Sequence, residues 1–142
     1  MKAVRGRAES DDSVDRWSRQ DWWGVVLDAP DAPALAHFYS DLLGWEISGE
    51  SPEDAALSPT SGVAYLAIQT SEGYVRPTWP NVDQQQQMMM HLDFQVDDMD
   101  AAVAHALELG AEEAEHQPQE DVRVMLDPAG HPFCLYTDES TE

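Results

Sequence analysis

Residues 22–44 read WWGVVLDAPDAPALAHFYSDLLG and residues 91–110 read HLDFQVDDMDAAVAHALELG, and what these two stretches share decides the fold. Each opens with a short apolar run suited to a strand, passes through an aspartate, and continues with apolar residues at helical spacing. In the first stretch Leu35, Phe38, Tyr39 and Leu42 recur at i, i+3, i+4 and i+7, which gives a helix one apolar face. Asp31 can cap that helix, Pro33 suits its first turn, and Gly44 can take the left-handed conformation that ends it. In the second stretch Asp98 is the cap, Gly110 the stop, and Met99, Val103, Ala106 and Leu107 the apolar face. Adding 67 takes Leu27 to Phe94, Asp31 to Asp98 and Ala34 to Ala101, while adding 66 takes Leu43 to Leu109 and Gly44 to Gly110. A strand, cap, helix and stop that return at a nearly fixed offset argue for a duplicated module.

Three further strands follow each helix. After Gly44 come WEIS, the weaker DAALSP, and GVAYLAIQ bounded by Ser-Gly and Ser-Glu-Gly; after Gly110 come AEEAE, VRVMLD and PFCLY. The predicted fold class is therefore α+β, with two tandem βαβββ modules at 21–70 and 90–138 inside one domain, 21–138. A linker, 71–89, joins them, and 139–142 is a tail. Residues 1–20 mix both charge signs without a period of 2 or 3.6, which predicts a disordered N-terminal extension.

Composition narrows the function. The chain has 142 residues, 42% of them hydrophobic, enough for one core and no second catalytic domain. Against 28 acidic residues stand 7 basic ones, a formal net charge of −21. Five of those cations, Lys2, Arg5, Arg7, Arg16 and Arg19, fall in the first nineteen residues, leaving Arg76 and Arg123 for the body. Such a balance excludes nucleic acid and anionic membranes as partners, because both are bound mainly through Lys and Arg. It reads most simply as a solvated acidic surface. The opening MKAVRG leads into no apolar run of secretory or spanning length, so the expected location is cytoplasmic. The lone Cys134 can form neither an internal disulfide nor, by itself, a zinc site.

The segments VVLDAPDAPALAHFYSDLLGWE, YLAIQTSEGYVRPTWP, QQMMMHLDFQVDDMDAAVAHALELGA and VMLDPAGHPFCLY resemble, in order and spacing, the glyoxalase-like branch of the glyoxalase/bleomycin resistance protein/dioxygenase (vicinal oxygen chelate) superfamily. The resemblance covers residues 22–136. It implies two curled, mixed four-stranded sheets around a cavity that holds a small-molecule ligand, and it implies a homodimer. It also implies up to four metal-ligand positions, at the start of the first strand and the end of the fourth strand of each module. Carried over one at a time, these fall on Gly24 (beside Trp22 and Trp23), near Gln69, on His91, and on Cys134, where relatives often have Glu. Gly24 has no side chain to offer, Gln69 is an uncharged amide, and a thiolate suits soft metals better than those used for oxygen chemistry. The expectation is a site without a metal cofactor; if a divalent ion is held, its residues are His91, Gln69 and Cys134. Cys134 with His91 could also form a thiolate and base pair, although a free Cys is more often buried and inert.

The linker is unusual in placing Tyr74, Arg76 and Trp79 among prolines, which stiffen an extended segment and present rigid aromatic faces. It reads either as a lid over the cavity or as filling between modules. Arg76 and Arg123 are candidates for holding an anionic ligand group, against the alternative that they pair with surface acids. Ligand-binding candidates are thus His91, Gln69, Cys134, Trp23, Tyr74, Arg76, Trp79 and Arg123. The favoured function is small-molecule binding; the alternative is a metal-dependent lyase, isomerase or dioxygenase.

Overall fold

The computed structural model describes residues 15–138, which divide into two compact units that part between Glu72 and Gly73. Each unit is one βαβββ module. The first runs β1 (Trp23–Ala29), α1 (Ala32–Leu43), β2 (Glu46–Glu50), β3 (Asp54–Ser58) and β4 (Ala64–Thr70). The second runs β5 (Leu92–Gln95), α2 (Met99–Glu108), β6 (Glu112–Glu113), β7 (Val122–Leu126) and β8 (Pro132–Tyr136). Each module makes its own four-stranded sheet, in the orders β1-β4-β3-β2 and β5-β8-β7-β6. In both sheets the first and fourth strands pair in parallel and the other pairs are antiparallel, so the duplication extends to topology.

The local signals act as the sequence requires. Asp31 accepts a hydrogen bond from the Ala34 amide at 3.2 Å, and Gly44 closes α1 with φ of 74°, a left-handed value that a side chain would strain. Asp98 caps α2 in the same way, accepting from the Ala101 amide at 3.1 Å. Helix α1 buries Ala32, Leu35, Ala36, Phe38 and Tyr39 against a sheet face that includes Ala29, Leu57, Leu66 and Ile68. Helix α2 buries only Ala106, and Leu107, expected on its apolar face, is 45% exposed. The second core is instead made largely by the sheet, through Met125, Phe133 and Leu135. The weak DAALSP signal is a full strand, whereas AEEAE forms only the two-residue β6.

The expected extension meets the structure only in part, since residues 1–14 lie outside the described residues. Residues 15–20 are seated on the first module. Arg16 and Trp17 lie in a short 3-10 turn, where Arg16 donates to the Gly62 carbonyl at 3.1 Å and lies 4.5 Å from the Trp17 ring centre. Trp22 stacks on Trp17 at 5.4 Å and donates through its indole to the Arg16 carbonyl. A cation beside two stacked indoles, donating to a backbone carbonyl of the first module, explains why this charged stretch holds a place on the fold. No helix among the described residues is long and apolar enough to cross a membrane.

Candidate functional site

Strand alternation gives each sheet a face packed on its helix and a face turned away from it. On the second sheet, Asp93 stands in register with Cys134, and Cys134 with Val124; Tyr136 stands opposite Val122. His91, two residues before Asp93, shares that outward face. The result is a convergence of three different donor types. The His91 Nε2 lies 3.1 Å from Asp93 Oδ1, and donor atoms of His91, Asp93 and Cys134 all lie within 4.8 Å of one another. They line a cleft of about 280 Å³ with Val122 and Tyr136 as its apolar part and Gln119, Asp121 and Asp138 around it.

Charge in this cleft is one-sided. Among the described residues no Lys or Arg lines it and three carboxylates do, so His91 is the only basic side chain they bring to it. The Cys134 thiol is pushed up from 9.0 to about 11, first by burial and then by the Asp93 carboxylate, whose charge opposes a thiolate and which accepts the thiol's hydrogen bond. A thiol so placed is protonated near neutral pH and is a poor nucleophile, which removes the physical basis for a thiolate and base pair with His91.

The first sheet offers a contrasting surface at the corresponding positions. Val26 stands in register with Ala67, the pair that the offset of 67 maps onto Asp93 and Cys134. Cys134 thus corresponds to Ala67, and Gln69 stands two residues further along, where its amide donates to Asp28 at 2.7 Å. Gly24, the counterpart of His91, lies under the Tyr65 ring; a Cβ there would come 2.5 Å from that ring, so a side chain at this position would require the ring to move. Trp22 packs 6.5 Å from Tyr65. Hence Gly24, Val26 and Ala67 supply no donor where the second module has His, Asp and Cys.

The remaining candidates have other partners. Tyr74 donates to the Ala129 carbonyl at 2.7 Å and meets His131 Nε2 at 3.3 Å, while buried Asp127 holds the other ring nitrogen of His131 at 2.8 Å. Arg76 pairs with Glu112 at 3.5 Å. Arg123 pairs with Glu113 at 3.4 Å and shares a strand face with buried Met125, opposite to Cys134; this pairing matches the alternative reading of a cation engaged with a surface acid. Both arginines of the body therefore serve β6. Trp79 donates to the His116 carbonyl at 3.2 Å and borders a separate hollow with Glu112, Glu113, Glu115 and Leu126. Trp23 is 55% exposed at the start of β1. Of the predicted residues, His91 and Cys134 come together; Asp93, which completes the group, was not singled out by sequence, although H-x-D on a strand already places both side chains on one face.

A duplicated βαβββ module with a donor cluster at the first and fourth strands is the architecture of glyoxalase-like domains. A family model described as a glyoxalase-like domain matches residues 24–136, and the chain belongs to that family. Among solved structures it is similar to a glyoxalase/bleomycin resistance protein/dioxygenase family enzyme from Burkholderia phytofirmans PsJN, at 21% identity and TM-score 0.61 over 80% of this chain and 95% of that one. It is also similar to the fosfomycin resistance protein FosX from Mesorhizobium loti, at 16% identity and TM-score 0.61 over 84% and 92% of the two chains. A FosX from Listeria monocytogenes, complexed with Mn(II) and sulfate, matches at 16% identity and TM-score 0.61 over 81% and 87%. At these identities the likeness is one of fold. No curated protein matches the chain.

The family's ion, held by ligands from both modules, does not fit this donor set. Two of the four inherited positions are Gly24 and Ala67, neither with a donor side chain, and a third is the thiol of Cys134. Ions of oxygen chemistry such as Mn(II) or Mg(II) favour carboxylate, carbonyl and water ligands, so the set departs from theirs in both number and kind.

Proposed function

We propose that the protein binds a small organic molecule at the outward face of the second sheet, in the cleft of His91, Asp93 and Cys134. The observation that supports this is the convergence of three polar side chains over an apolar surface in a concave site, the usual composition of a ligand pocket. Val122 and Tyr136 would cover an apolar part of the ligand, and the polar trio would orient it. With three carboxylates and, among the described residues, no Arg or Lys in the cleft, the ligand class that fits directly is neutral or cationic. Gln69, Arg76 and Arg123 have their own partners and are not part of the proposed site.

The alternative, a metal-dependent lyase, isomerase or dioxygenase, is favoured by one observation, the mutual approach of three ligand-type side chains. An anionic substrate would then need the ion itself as its counter-charge. A homodimer goes with either form, since β2 and β6 end their sheets with an unpaired edge. A cytoplasmic setting suits a single free thiol.

The test is a fragment screen followed by protein-observed NMR, using wild type and His91→Ala. Hits of the neutral or cationic class that shift residues of β5, β7 and β8, and that lose at least about tenfold in affinity with His91→Ala, are expected. Hits that ignore His91, or a screen without hits, would refute the proposal.

A further inference from the structure

We propose that His131 is a pH-operated latch that ties the start of the linker to the β7–β8 turn of the second module: its doubly protonated ring holds Tyr74, and loss of one ring proton loosens that hold. The latch is independent of the ligand cleft, which none of these side chains lines.

The turn at residues 127–131 carries the arrangement. Asp127 is buried, and its carboxylate accepts from the amides of Ala129 at 2.9 Å and His131 at 3.0 Å and meets His131 Nδ1 at 2.8 Å. An ionised carboxylate can only accept, so Nδ1 carries a proton. On the other side of the ring, Tyr74 has one hydroxyl proton and two neighbours, the Ala129 carbonyl at 2.7 Å and His131 Nε2 at 3.3 Å. The carbonyl, at the ordinary length of an O–H···O bond, takes that proton. The hydroxyl oxygen can then only accept from Nε2, which must carry a proton as well. With both nitrogens donating, the ring is an imidazolium, and its charge compensates the buried carboxylate beside it.

A neutral ring cannot keep all three of these bonds. It retains the proton on Nδ1, because a bare Nδ1 would set a lone pair against the Asp127 carboxylate. Its bare Nε2 then competes with the Ala129 carbonyl for the single Tyr74 proton, and one partner goes unsatisfied. The other ionisable groups around His131 come from the linker and β6. Arg76 lies across Gly130, where a Cβ would collide with its side chain, and pairs with Glu112 of β6 at 3.5 Å. Arginine keeps its charge near neutral pH, so of the two adjacent fastenings of the linker, only the one at Tyr74 responds to the range in which histidine titrates.

Long-range proton–nitrogen NMR of the histidine rings in the full-length protein, recorded from about pH 5 to about pH 9, tests the latch directly. Protons on both His131 nitrogens at the acid end, loss of the Nε2 proton alone as pH rises, and amide shifts of residues 74–76 and 129 with the same midpoint are expected. Across that transition the population with Tyr74 detached, read by relaxation dispersion of the linker amides, should rise about fivefold, the worth of one hydrogen bond. Tyr74→Phe and His131→Asn should each remove this rise, with far-UV circular dichroism checking that both variants fold. The ring protonation of the wild type decides the matter even if a variant does not fold. A bare Nε2 at every pH, linker amides that ignore the His131 transition, or a rise in detachment that persists in either variant would overturn the proposal.

Discussion

The two modules share a topology and differ in what they present. The first has the better-covered helix and an outward face emptied of donors, where Gly24, Val26 and Ala67 occupy positions that the second module fills with His91, Asp93 and Cys134. The second has a helix that buries one residue and a sheet that provides both its core and a cluster of three donor side chains. After duplication, therefore, one copy can serve packing while the other retains polar groups. Each substitution below is a way to break or sharpen that contrast.

The largest effect is expected in the second core. Phe133→Ala should cost about 3–5 kcal/mol in urea unfolding, because Phe133 is fully buried and the thinly packed α2 cannot close the cavity. A loss below about 1 kcal/mol would mean that the helix, and not the sheet, holds the second module. Next is the thiol. With its thiol pushed up to about 11, only a small fraction of Cys134 is thiolate at pH 8, so alkylation should run roughly 10- to 100-fold slower than for a free cysteine and accelerate as pH rises toward 11. Asp93→Asn removes the carboxylate that opposes ionisation and should move this rise to lower pH.

A smaller effect tests the closed first module. Gly24→Ala should destabilise by about 1–3 kcal/mol through collision with the Tyr65 ring, and the same change in a Tyr65→Ala background should cost much less. Additive costs would show that Tyr65 does not close the position. The smallest effects compare the two caps: Asp31→Ala and Asp98→Ala should each cost about 1 kcal/mol in thermal unfolding, since both make the same bond to the third helical amide. A large inequality would show that the modules differ in their helices as well as their faces.

Much of this fold was legible in the sequence because its signals are local. Caps at Asp31 and Asp98, the stop at Gly44 and strand alternation depend on neighbours within a few residues. The site was legible by halves. His91 and Cys134 stand out as rare residue types, but Asp93 is one of 28 acidic residues, and only its register beside Cys134 distinguishes it. Matching strand ends led to Gln69, although the offset of 67 carried through the fourth strand takes Ala67 to Cys134. Pairing of Arg76 and Arg123 with acids was one of the two readings the sequence offered, but which acids was not legible, since Glu112 and Glu113 lie far from Arg76 in sequence and next to several equivalent acids.

The proposal that the ligand cleft belongs to the second module alone is tested most directly by backbone amide NMR of the full-length protein during titration with the fragment hits. Perturbations concentrated at His91, Asp93, Val122, Cys134 and their strand neighbours, with residues 24–28 and 65–69 unmoved, are the predicted result. Comparable shifts around Gly24, Ala67 and Gln69 would contradict it.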